Sequence, residues 1–145
     1  MFKAISYLSS NRANEMLDFY VEHFDAVVTS KVMGDDKMFE GAPEEFKMPE
    51  EVAKNFVMNA SFEINGQTFM LSDSWGKEEV NNEGVSICFT FDGNDEDELQ
   101  QAIKFYEKAV EAGCKVTMPL GETEWTKYYA MFEDPFGISW MISAE

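Results

Sequence analysis

Few side chains in this 145-residue chain could do covalent chemistry. There are two cysteines, Cys88 and Cys114, and one histidine, His23. A catalytic nucleophile needs a base within hydrogen-bond reach and a third group to orient that base. No Ser-His or Cys-His arrangement here has supporting spacing. Cys88 lies in the apolar run "VSICFTF", and Cys114 follows Gly113 at an expected helix end. Both read as buried thiols of a reducing compartment, not as a disulfide framework. His23, beside Phe24, reads as a partly exposed helix-surface residue. One acidic pair stands out. Glu63 and Glu133 hold equivalent places in two near copies, "ASFEINGQTFMLS" (Ala60 to Ser72) and "AMFEDPFGISWMIS" (Ala130 to Ser143). Facing carboxylates could do general acid–base work, but common ancestry of the copies explains the repeat equally. No residue is therefore expected to be catalytic.

The elements that would position these groups also occur twice. "FKAISYL" reads as a strand with Ile5 and Tyr7 on one face. Asn11 is expected to cap the following helix, whose Ala13, Leu17, Tyr20 and Phe24 recur at helical spacing. "AVVTSKVM" is β-branched and reads as a strand. Asn65-Gly66 favours a type I′ turn, because both residues tolerate positive φ, so a hairpin follows. The second half repeats the order. "VSICFTF" is a strand, Asp95 and Glu98 have capping-box spacing, and Leu99, Ile103, Tyr106 and Val110 form the helix stripe. Gly113 stops that helix, "KVTMP" is a strand, and the second hairpin closes the chain. The helices share "LDFY" (Leu17 to Tyr20) and "IKFY" (Ile103 to Tyr106). The chain thus reads as two tandem βαβββ modules in one α+β domain over 1–145. Module one covers about 1–75 and module two about 84–145. An acidic, proline-containing insert at 34–55, with a short helix in "PEEVAKNF", fits a lid, a dimer arm or a solvated connection.

Composition narrows the partners. Forty-five per cent hydrophobic and 14% aromatic residues suffice for a core without disulfide staples. Eleven basic against 28 acidic residues leave a net charge of −17. That field repels phosphate backbones and anionic lipid surfaces, so neither nucleic acid nor membrane is an expected partner. The opening "MFKAISYLSS" has one lysine and no long apolar run, and reads as neither signal peptide nor membrane span. The expected location is the cytoplasm.

The duplicated βαβββ unit ending in "DPFGISWMI" resembles the vicinal oxygen chelate superfamily of glyoxalase I and bleomycin-resistance proteins. It is similar in particular to the PhnB-like branch. "YLSSNRANEMLDFY", "VMNASFEINGQTFMLSDS", "VTMPLGETEW" and "YYAMFEDPFGISWMI" carry the resemblance, with Trp125 nine residues before Asp134. It implies that the modules form paired half-barrels around a cleft, and that chains pair as a homodimer. In metal-using relatives, two strand residues from each module hold one divalent ion, usually His, Glu or Gln. Those positions correspond here to Ile5 or Tyr7, to Asn59 (often His in PhnB-like relatives), to Ser86 and to Met141. None is a good ligand, since thioether sulfur is too soft for Mn, Fe(II) or Ni. No metal and no cofactor is expected. PhnB-like domains often carry a demethylubiquinone methyltransferase label, but no Gly-rich loop for a nucleotide methyl donor occurs here.

Strand alternation puts Met58, Ala60, Phe62, Ile64, Phe69, Leu71, Ala130, Phe132, Trp140 and Ile142 on the core side. The cleft would then be lined by Tyr7, Asn59, Met70, Ser86, Trp125, Tyr129 and Met141, with Glu63 and Glu133 nearer the rim. Aromatic and thioether walls with a few neutral hydrogen-bonding groups suit an organic ligand, and the acidic charge favours a cationic or aromatic one. The leading expectation is a metal-free small-molecule binder. A lyase, isomerase or dioxygenase with an altered metal site is the first alternative, and a structural protein with a filled pocket the second.

Overall fold

A computed structural model describes residues 1–75 and 79–145. The chain forms two compact units, Met1–Val80 and Asn81–Glu145. Unit one contains β1 (Ser6–Ser10), α1 (Ala13–His23), β2 (Val27–Met33), α2 (Glu50–Ala53), β3 (Val57–Ile64) and β4 (Gln67–Asp73). Unit two contains β5 (Ser86–Phe91), α3 (Glu96–Glu111), β6 (Lys115–Gly121), β7 (Tyr129–Glu133) and β8 (Ser139–Ala144). Each unit builds one four-stranded sheet, ordered β1-β4-β3-β2 and β5-β8-β7-β6. In each, the first strand runs parallel to the last and the other pairs are antiparallel. Among the described residues, no helix is long and apolar enough to cross a membrane.

The duplication extends to irregularities. β2 breaks register against β3 between Val28 and Ser30, and β6 does so against β7 between Val116 and Met118. These are equivalent sites, since Val28 pairs with Phe62 and Val116 with Phe132. An inserted residue at the same place in both copies bends each outer strand alike.

Alternation gives each sheet one apolar face under its helix. In unit one, Ala13, Met16, Leu17, Tyr20 and Phe24 are buried with Ala60, Phe62, Ile64, Phe69 and Leu71. The rings of Tyr20, Phe62 and Phe69 stack in series at 5.7 and 5.6 Å between centroids. In unit two, Phe105 sits 5.5 Å from Phe132 and 6.0 Å from Trp140. Trp140 and Phe132 are fully buried, and each such aromatic contributes about 1.5–3 kcal/mol relative to exposure.

Local signals act largely as expected. Asn65 and Gly66 both have positive φ, 51° and 74°, as a type I′ turn requires. Asp95 Oδ1 accepts the Asp97 and Glu98 amides. The Glu98 carboxylate reaches back to the Asp92 amide instead of that of Asp95, so the box closes three residues early. Gly113, at φ 88°, ends α3.

Five expectations need correction. β1 starts at Ser6, not at Phe2, and its pairing with β4 begins at Ser6 opposite Phe69. Arg12, not Asn11, takes the N-cap position of α1, and the Ala13 amide goes to the carboxylate of Asp73. On α3 the buried stripe is Leu99, Phe105 and Ala109, while Val110 is exposed, because Phe105 is the ring that fits between Phe132 and Trp140. Met58 is only half-buried, since a register shift opposite Val32 and Met33 takes it out of the alternation. Cys88 is exposed, on the sheet face opposite α3.

Candidate functional site

In each unit the strand residues assigned to the cleft lie on the sheet face away from the helix, while Trp125 lies in the loop between β6 and β7. In unit one, β1 lies beside β4, and Tyr7 pairs with Met70, which pairs in turn with Ser61. Asn59 joins them. Its amide Nδ2 donates to the Tyr7 hydroxyl at 3.4 Å and approaches the Met70 sulfur at 3.9 Å. Tyr7 is 52% exposed, so the phenol is presented and not packed away. Ile5 lies outside β1, which leaves Tyr7 as the opening-strand residue that meets Asn59.

In unit two, Met141 on β8 lies between Cys88 on β5 and Met131 on β7. Met118 on β6 continues the row beyond Met131. Four sulfur side chains thus cross the face in register. Beyond them, Tyr129 pairs with Ser143, and its ring meets Trp125 edge-on at 5.4 Å. Ser86 pairs with Ser139 at the other end. Four residues along β8 separate that row from the Tyr129 row, about 13 Å. Trp125, Tyr129 and Met141 therefore group together, and Ser86 stands apart from the aromatic pair.

Cys88, Met118 and Met131 complete this face. The signal for Cys88 was present, because Ser86, Cys88 and Thr90 alternate with Ile87, Phe89 and Phe91. The continuous apolar character of the run concealed it. Cys88 is exposed as a residue, but partial desolvation of its thiol raises its pKa, so it stays largely protonated at neutral pH. Cys114 is buried, and burial, followed by the nearby charge of Asp134, pushes its pKa up to about 12. Neither is poised as a nucleophile. Glu63 and Glu133 are exposed. Glu63 sits opposite Thr68 and Val27, and Glu133 opposite Ser139 and Lys115. His23 lies against the Phe19 ring at 4.7 Å on the half-exposed side of α1, and no site forms around it among the described residues.

The "DPFG" motif is structural. Asp134 is 3% exposed and its Oδ1 accepts the amides of Phe136 and Ile138, at 2.9 and 3.0 Å. Its Oδ2 accepts the indole N–H of Trp140 at 2.9 Å. Gly137 has φ 85°, which a residue without Cβ adopts freely. The motif folds the hairpin and orients Trp140 in the core.

Among the described residues, no group of three or more His, Cys, Asp or Glu side chains is placed to hold a metal ion. Tyr7 brings a phenol, Asn59 an amide, Ser86 a hydroxyl and Met141 a thioether. Such ions favour imidazole or carboxylate, and thioethers favour softer metals.

Two mixed sheets built from tandem βαβββ units, each with one open face, define the vicinal oxygen chelate class of α+β fold. A family model described as the Glyoxalase/Bleomycin resistance protein/Dioxygenase superfamily matches residues 5–142, and the chain belongs to that superfamily. The protein Rv0887c of Mycobacterium tuberculosis is 28% identical over 145 residues, covering 94% of this chain and 70% of that protein. Among solved structures, PA1353 from Pseudomonas aeruginosa matches with a TM-score of 0.75 at 24% identity, over 100% of this chain and 98% of that one. A PhnB protein from Bacillus cereus, provisionally named a 3-demethylubiquinone-9 3-methyltransferase, matches with a TM-score of 0.68 at 22% identity. That match covers 99% of this chain and 100% of the other. At these identities the structural likeness is one of fold.

Proposed function

We propose that this superfamily member binds a small organic molecule, cationic or aromatic, on the open sheet faces without a metal ion. The observation that carries this reading is the make-up of those faces. Trp125 and Tyr129 form an aromatic corner next to thioethers, and Tyr7 with Asn59 forms a neutral hydrogen-bonding group. Aromatic walls suit stacking and cation–π contact, and neutral polar groups orient a ligand without demanding a metal. The net charge of −17 raises the local concentration of cations around the protein.

Trp125 is 66% exposed, so shortening it should leave the fold intact. In EDTA, at least one member of a panel of cationic aromatic compounds should raise the melting midpoint by about 4 °C or more at high saturation. Trp125→Ala should lose most of that rise while melting within about 2 °C of the parent without ligand. If no compound stabilises the protein, or if Trp125→Ala and Asn59→Ala both keep the full rise, the reading is wrong.

A further inference from the structure

The insert between β2 and β3 is an ordered part of unit one. Gly34 donates its amide to the Phe56 carbonyl at 2.8 Å, and Asn14 on α1 donates to the Asn55 carbonyl at 2.7 Å. Gly34 also lies so close to α2 that an added Cβ would stand 2.9 Å from the Ala53 carbonyl oxygen and 3.3 Å from the Met48 sulfur. The folded insert borders a half-open pocket of about 390 Å³, within the range of pockets that hold drug-sized ligands. Aromatic rings (Phe39, Phe46 and Trp75) and the thioethers of Met48 and Met58 line it. Phe46 and Trp75 are exposed, at 70% and 59%.

Charge at this cavity is one-sided. Among the described residues, Asp35, Asp36, Glu40 and Glu50 reach its wall, and Lys47 is the one lysine there. Lys47 is already paired with Glu44 at 3.3 Å. Among the described residues, no lysine or arginine pairs with Asp35, Glu40 or Glu50. Aromatic faces attract a cation through their quadrupoles, and carboxylates around the same space add direct attraction. A neutral ligand would leave that field unused, and an anion would be repelled by it.

We propose that the insert cavity is a second binding site, built for an organic cation with an aromatic body. It uses none of Tyr7, Asn59, Met70, Trp125, Tyr129 or Met141 and does not depend on their function.

The test uses the full chain and ethidium, a planar aromatic cation, followed by its own fluorescence. The anionic dye 8-anilinonaphthalene-1-sulfonate serves as the charge control. Ethidium should bind, and more weakly as salt rises. Substituting Glu40→Gln together with Glu50→Gln, and separately Trp75→Ala, should each weaken it about tenfold. The carboxylates are exposed, so circular dichroism of the double variant should match the parent. Any ethidium held at the open face of unit two is lost in Trp125→Ala, while ethidium in the insert cavity is kept. Absence of ethidium binding overturns the proposal, as does binding that both insert variants keep. Loss in Trp125→Ala alone also overturns it while supporting the open-face reading, so the two ideas fail separately. Equal binding of the anionic dye at the same residues would show a merely apolar cavity and defeat the charge argument.

Discussion

Asp134→Ala should destabilise the protein by about 3–5 kcal/mol, a large part of the roughly 5–15 kcal/mol that holds a typical domain together. The carboxylate takes two backbone amides and the Trp140 indole N–H, and it is nearly inaccessible to water. Alanine leaves three donors without an acceptor beside a fully buried tryptophan. A buried donor stripped of its partner costs about 1–3 kcal/mol. Asp134→Asn keeps the volume but must turn its NH2 group toward one of those donors, so an intermediate loss of about 1–2 kcal/mol is expected. Denaturant unfolding of the three proteins measures the order directly. An alanine variant within 1 kcal/mol of the parent would show that the hairpin does not depend on this carboxylate. Removing the Asp134 charge should also let Cys114 ionise at a lower pH, with burial, the larger cause, still holding its pKa above normal.

Asp73→Ala should be nearly as damaging in unit one, at about 2–4 kcal/mol. Asp73 ends β4 and is buried, at 8% exposure. Its Oδ1 accepts the Ala13 amide at 2.9 Å and its Oδ2 the Val57 amide at 2.8 Å. One carboxylate thereby fastens the start of α1 and the start of β3 to the end of β4. The negative charge also lies at the positive end of the helix dipole. Hydrogen exchange distinguishes this fastening from a diffuse packing role. In the variant, amides in the first turn of α1 and at Val57 should exchange much faster, while those of unit two hold their rates. Unchanged exchange at Ala13 and Val57 would refute the assignment.

These two aspartates show where sequence reasoning reached and where it stopped. Signals confined to a few neighbouring residues were readable. Asn65-Gly66, the Asp95 cap, Gly113 and the repeated hairpins each act through local backbone geometry, and all hold. Signals that depend on a distant partner were not. Asn11 had the right chemistry for a cap, but Asp73, sixty residues from Ala13, takes that amide. The expected stripe on α3 ran through Tyr106, and only the fit of Phe105 between Phe132 and Trp140 puts the core ring one residue earlier. Ala109 carries too little apolar surface to mark a core position. Met58 left its face because of a bulge, which alternation cannot foresee.

The open faces were read more fully than the insert. Period-two alternation put Asn59 and Met70, and likewise Tyr129 and Met141, on one side of their strands, whereas Trp125 lies in the loop before β7, outside any alternation. Alternation also holds for Cys88, once "VSICFTF" is read as Ser86, Cys88 and Thr90 on one side and the larger residues on the other. The insert has no period to read. Its turns at 37–39 and 44–46 and its single helical turn are placed by contacts such as Gly34 against Ala53.

Metal independence is the central claim, and thermal melting of the EDTA-treated protein in added Mn, Fe(II), Ni and Zn tests it most directly. A metal at about 100 times its dissociation constant would add about 2.7 kcal/mol and raise the midpoint by about 4 °C or more. With Tyr7, Asn59, Ser86 and Met141 at the key positions, the midpoint should stay flat for all four ions, and a ligand-induced rise should be the same with or without them. A clear rise with one ion, removed again by EDTA, would contradict a metal-free site and return an enzyme of this superfamily to the front.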